Sequence, residues 1–152
     1  LGFAPPGWDN LIAFLRKKID DFSVITEDKT ITADIPGETV MMQLQPTLLN
    51  QIFQNLMQNA IKFAAKSVHV HIQNSPQYVR IEIIDDGKGI DKDLDIFAPF
   101  KRTNSSEGIG LGLYLAKSAA DAIGAHIDIV NSEAGGAKAV IDIEKHPSVK
   151  LS

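Results

Sequence analysis

The chain has 152 residues, 44% of them hydrophobic and 22% charged, with a net charge of −4. That size predicts one domain with a proper core, and that charge offers no broad basic surface for nucleic acid or an anionic membrane. The absence of cysteine excludes disulfides, thiolate chemistry and cysteine-based zinc sites.

No apolar run approaches the ~20 residues of a membrane span, and no signal peptide is visible. The chain opens on Leu1 rather than Met, and we expect it to be a piece of a longer protein.

Pro5-Pro6-Gly7 reads as a linker or turn. From Trp8 to Phe22 the apolar residues Trp8, Leu11, Ile12, Leu15, Ile19 and Phe22 recur at helical spacing. Lys29 to Ile35 alternates as a strand, Pro36-Gly37 turns the chain, and Thr39 to Leu44 reads as a second short strand. Pro46 suits the first turn of a helix running to about Lys66. Its apolar face holds Leu49, Ile52, Phe53, Leu56, Met57, Ala60 and Phe63.

Val68 to Gln73 and Val79 to Ile84 alternate strictly, so each reads as a strand. Asp85 to Ser106 is polar and glycine-bearing, with a short apolar knot, LDIFAPF, in its middle. Gly108 to Gly112 leads into a helix that stops at Gly124. His126 to Val130 and Lys138 to Ile143 are two further strands joined by SEAGGA. The predicted class is α+β. It is a two-layer α/β sandwich whose mixed, mostly antiparallel sheet is covered on one face by three helices.

Four segments carry candidate chemistry. In QNLMQNAIKFA, Asn55 and Asn59 stand one helical turn apart, with Lys62 a further turn along the same face. By itself such a line reads first as a solvated polar stripe. In IIDDGKGI, Asp85 continues the inward register of Val79, Ile81 and Ile83, where a carboxylate needs a hydrogen-bonding partner. Gly87 and Gly89 then let the backbone turn and approach a ligand, although a plain turn after a strand fits equally well.

In GIGLGL, alternating glycines open a helix and bare backbone N–H groups suited to phosphate. It is neither the dinucleotide fingerprint nor a P-loop. In IFAPFKR, Phe97 and Phe100 read as anchors of a loop. Lys101 and Arg102 are either phosphate-reaching cations or ordinary surface charges.

Together these segments closely resemble the catalytic ATP-binding domain of sensor histidine kinases, in the superfamily of gyrase, the heat-shock chaperone ATPase and the mismatch-repair ATPase. NLMQNAIKF matches the asparagine box, DDGKGI the first glycine box, FAPF the phenylalanine box and GIGLGL the second glycine box. The boxes stand in the family's order within Gln45 to Gly124, and the final hairpin also fits.

The resemblance implies a Bergerat fold that binds ATP and Mg²⁺. Asp85 would accept a hydrogen bond from the adenine amino group and so select against guanine. Asn59 would hold Mg²⁺. Asn55 and Lys62, the candidate catalytic pair, would line the phosphate end. Gly87, Gly89 and Ile90 would also bind the nucleotide. Gly108, Gly110 and Gly112 would present backbone N–H groups to the phosphates, with Ile109, Leu111 and Leu113 also binding ATP. Asp91 to Glu107 would form a lid carrying Phe97, Lys101 and Arg102.

The hydrolytic relatives carry a glutamate as general base four residues before the metal-binding asparagine. Asn55 stands there and cannot take a proton, which implies phosphoryl transfer to an outside histidine rather than hydrolysis. His69, His71, His126 and His146 lie outside any upstream helical hairpin, where the family carries its phosphoacceptor. His69 and His71 read as exposed sheet residues before they read as metal ligands.

Asp86 stands where the family commonly has Asn and is expected to add a negative charge near the nucleotide. Ala137 stands where many members have Ser or Thr, and the lid is short. These departures keep a non-catalytic docking module of the same fold as one alternative, with an ATPase of the superfamily as the other.

The implied organisation is a linker over 1–7, the ATP-binding domain over 8–146 and a tail over 147–152. The implied partners are a phosphoacceptor/dimerisation domain of the same protein and the receiver domain of a response regulator. The full-length protein is expected to be a cytoplasmic or membrane-anchored homodimer, with neither nucleic-acid binding nor membrane insertion by this domain.

Overall fold

Apolar residues at helical spacing make three helices, and apolar residues at every second position make the main strands. The computed structural model describes residues 7–26, 28–91, 96–98 and 111–145. In chain order the elements are β1 (Trp8–Asn10), α1 (Leu11–Ile25), β2 (Thr30–Asp34), β3 (Met41–Gln43) and α2 (Pro46–Phe63). They continue with β4 (Ser67–Asn74), β5 (Tyr78–Asp85), α3 (Gly112–Ile123), β6 (His126–Asn131) and β7 (Ala137–Glu144).

The main sheet has the order β2-β4-β5-β7-β6. Only β2 and β4 run parallel, and α2 lies in the long crossover that a parallel pair requires. The other neighbours are antiparallel. This is the two-layer α+β architecture the alternation predicts.

One face of the sheet is buried. Val68, Val70 and Ile72 of β4 and Val79, Ile81 and Ile83 of β5 meet Ile141 and Ile143 of β7 there. Against them pack Leu11 and Leu15 of α1, Ile52, Phe53, Leu56 and Met57 of α2, and Ala116 and Ala120 of α3. Phe22 and Phe53 join α1 to α2 edge-on, with ring centroids 6.3 Å apart. The other face is wet and held by cross-strand ion pairs, Arg80 Nε to Asp142 Oδ1 at 2.8 Å and Lys138 Nζ to Glu82 Oε2 at 3.2 Å. Among the described residues no helix is long and apolar enough to cross a membrane.

Three expectations need correction. The first helix begins at Leu11, not Trp8. Asn10 caps it, its Oδ1 accepting from the N–H groups of Ile12 and Val40, both at 3.1 Å. Trp8 instead lies in β1 and is 40% exposed.

The short strand β3 pairs with β1 in a separate two-stranded sheet, with Asp9 opposite Met42, rather than joining the main sheet. The second long helix ends at Phe63, which is 48% exposed, and the methyl of Ala64 takes the core position instead. The helix stops because the next three N–H groups, of Ala65, Lys66 and Ser67, turn to the carboxylate of Asp86.

Candidate functional site

Asp85 is the only buried polar or charged side chain among the described residues. It ends β5 on the helix-covered side, where the alternation of that strand places it. Its Oδ1 accepts from Gly87 N–H at 2.8 Å and from Ala137 N–H at 3.3 Å. Two backbone N–H groups thus fix the orientation of this buried acceptor. Ala137 contributes through its main chain, so a hydroxyl is not needed for this contact.

The segment after Asp85 is wedged between two walls. A methyl group on Gly87 would stand 2.1 Å from the carbonyl oxygen of Phe63, at the end of α2. One on Gly136, in the β6–β7 turn, would stand 1.9 Å from the carbonyl oxygen of Asp85. Gly87 therefore serves close packing on α2. Sequence reasoning alone does not single out Gly136, and its only signal is the paired glycine in SEAGGA.

Asp86 departs from expectation. Its charge is taken up by the α2–β4 turn, where Oδ1 accepts from the N–H groups of Ala65, Lys66 and Ser67 at 2.8, 3.0 and 3.1 Å. Ser67 adds its hydroxyl to Oδ2 at 3.3 Å. The backbone N–H of Lys66, then that of Ser67, holds the carboxyl down to about 2.

An ordinary Asp titrates at about 3.9, so this bonding stabilises the fold fully above about pH 4. The contribution is lost as pH falls through about 2. Denaturant titrations from pH 5 to pH 2 should therefore show the stability gap between the natural chain and Asp86→Asn shrinking as pH falls. Because the group is fully exposed, added salt should shrink the gap at every pH. A gap independent of pH would remove Asp86 as the anchor of that turn.

Asn55, the first of the polar line on α2, faces the start of α3. A methyl group on Gly112 would stand 3.7 Å from Asn55 Oδ1, so Asn55 and the first residue of α3 are neighbours. Asn55 and Asn59 are half-buried, and Lys62 is exposed with Nζ 5.5 Å from the ring centroid of Phe63. Among the described residues no side-chain cap bonds the N-terminus of α3, whose N-cap residue is Leu111.

Ile90 and Phe97 are partly buried and pack on the core, Leu111 is half-buried, and Leu113 is in the core. Lys101, Arg102, Gly108, Ile109 and Gly110 lie outside the described residues, as do Phe100 and most of the expected lid.

The histidines lie elsewhere. His69 and His71 are on the wet face of β4, with Nδ1 atoms 2.7 Å from Thr32 Oγ1 and 3.2 Å from Asp34 Oδ2. His126 is exposed at the start of β6, and His146 lies outside the described residues. Among the described residues no group of three His, Cys, Asp or Glu is arranged to hold a metal.

Residues 44–147 match the family model described as histidine kinase-, DNA gyrase B-, and HSP90-like ATPase. The chain belongs to this ATPase family. Sensor kinases are among its relatives. The chain is 35% identical over 124 residues to the sensor protein KdpD of Clostridium acetobutylicum, covering 76% of this chain and 14% of that protein.

The catalytic domain of the histidine kinase ThkA superposes with a TM-score of 0.76 at 25% identity, covering 95% of this chain and 97% of that one. Full-length ShkA, solved with AMPPNP, superposes at 0.74 with 23% identity over 99% of this chain and 34% of that one, a likeness of fold. This member of the family therefore spans a small part of KdpD's length and nearly all of ThkA's catalytic domain.

Proposed function

We propose that this chain is the ATP-binding catalytic domain of a two-component sensor histidine kinase. It binds Mg-ATP and donates the γ-phosphoryl group to a histidine on a separate dimerisation domain. The observation that carries the reading is Asp85, a buried carboxylate whose Oδ1 is fixed by two backbone N–H groups. Oδ2 is then offered to a ligand donor. The adenine amino group is such a donor, whereas the matching edge of guanine presents a carbonyl and would be repelled.

The phosphates lie toward Asn55, Lys62 and the N-terminus of α3, whose N–H groups and dipole favour anions. The donor set suits magnesium carried on a phosphate. Asn59 would hold such a cation through one neutral amide oxygen, a donor that suits a hard ion. Bound there, the ion would neutralise phosphate charge.

The chain's own residues hold the base, orient the phosphates and leave the γ-phosphoryl group unchallenged by water, because Asn55 cannot act as a base. A histidine nitrogen supplied from outside attacks the γ-phosphorus, the bond to the bridging oxygen breaks, and ADP leaves. The residues proposed for this site also include Gly87, Gly89, Ile90, Phe97, Lys101, Arg102 and the run Gly108 to Leu113.

The phosphohistidine then passes its group to a receiver-domain aspartate. The parent protein acts as a homodimer with this domain in the cytoplasm, where ATP is available.

Calorimetry with a non-hydrolysable ATP analogue, with and without Mg²⁺, tests the reading. Binding that strengthens with Mg²⁺ is expected, and no binding at millimolar nucleotide would sink it. Asn59→Ala should remove the Mg²⁺ dependence while leaving metal-free binding in place, and retained dependence would put the metal elsewhere. Robust hydrolysis by the isolated domain would reverse the inference from Asn55.

A further inference from the structure

The glycine segment is fastened on its second flank by a side chain that no motif marks. Asn131, the last residue of β6, grips the main chain of Ile90 at two points. Its Oδ1 accepts from Ile90 N–H at 2.7 Å, and its Nδ2 donates to Ile90 C=O at 3.3 Å. The amide thus imitates one rung of a β-ladder for a residue that lies outside every strand.

The fit continues at Gly89, whose φ is +86°. A methyl group there would stand 2.5 Å from Asn131 Oδ1 and 3.4 Å from the carbonyl oxygen of Gly135. Gly89 is therefore required twice, by its left-handed backbone and by the side chain lying against it. The turn that follows Asn131 leads straight to Ala137, whose N–H holds Asp85. One hairpin thus fixes both the carboxylate and the segment beside it.

We infer that Asn131 is a positioning residue for the nucleotide base, setting the course of Gly87 to Ile90 beside Asp85. This rests on the nucleotide-binding reading above. Asn131 is exposed and outside the core, so its loss leaves the fold in place while freeing the segment that borders the base. An aspartate at this position keeps the acceptor for Ile90 N–H, the shorter of the two bonds, but sets a second acceptor oxygen against the Ile90 carbonyl.

The test pairs amide hydrogen exchange without nucleotide with calorimetry using ADP and a non-hydrolysable ATP analogue. In Asn131→Ala the Ile90 amide should exchange faster while amides at the centre of β4 keep their protection. Affinity should fall by about five- to twentyfold, the scale of one or two lost hydrogen bonds. The factor should be the same for both nucleotides, because the base is common to them. Asn131→Asp should recover part of both readouts, because the bond to Ile90 N–H survives while the Ile90 carbonyl is repelled.

Unchanged exchange at Ile90 would remove the clamp. Faster exchange with unchanged affinity would leave Asn131 a structural residue only, and overturn the inference. If the natural chain itself binds neither nucleotide, the function reading fails and this inference fails with it, an outcome told apart because the variant is not needed to see it.

Discussion

Asp85→Asn is expected to weaken binding of an ATP analogue by about ten- to a hundredfold, the scale set by hydrogen bonds to a charged group. The geometry leaves the amide no good orientation. With its oxygen at the place of Oδ1, it keeps the N–H groups of Gly87 and Ala137 but turns its NH₂ toward the adenine amino group, donor against donor. Flipped, it faces the base with oxygen but sets its NH₂ against those two backbone N–H groups.

The first orientation also offers a donor to the guanine carbonyl. The preference for ATP over GTP should therefore narrow in the variant. Competition calorimetry with the two nucleotides measures both effects. Unchanged ATP affinity would mean that the base lies elsewhere.

Gly136→Ala should be the most damaging small substitution in the chain's own architecture. The added carbon would sit 1.9 Å from the carbonyl oxygen of Asp85 and 2.7 Å from its carbonyl carbon. Both are backbone atoms at the end of a central strand, so no side chain can swing aside. β5 and β7 must part at this end, and the Ala137 N–H that holds Asp85 moves with them.

Overpacking of this kind costs about 1–3 kcal/mol, and we expect the upper end. For a chain of this size that lowers the melting temperature by roughly 5–10 °C. Nucleotide affinity should fall as well, because the carboxylate loses a partner. Gly37→Ala is the matched control, since nothing lies within 4 Å of the added carbon. Calorimetric melting of the two variants decides the point: equal melting temperatures would refute the close approach.

Much of the candidate site is legible in the sequence because it follows from periodicity and residue type. Asp85 is placed inward by a two-residue register, which holds wherever one face of a strand is buried. The stripe of Asn55, Asn59 and Lys62 follows from a helical turn, and the α3 start from its glycines. Asp86 escapes such reasoning because its partners are the three N–H groups of a turn 19 to 21 residues away, and backbone donors leave no mark in residue type. Trp8 escapes it for a related reason: the asparagine that caps α1 also bonds Val40, 30 residues on.

By itself, then, the sequence determined the helices, the main strands, the inward carboxylate and the family, since each is a local pattern of side chains. Only the tertiary structure decided the sheet order, the pairing of β1 with β3 and the closeness of Gly87 to α2 and of Gly136 to β5. It alone also decided the grip of Asn131 on Ile90. Those depend on main-chain atoms meeting across long stretches of sequence, and the main chain is chemically alike at nearly every residue.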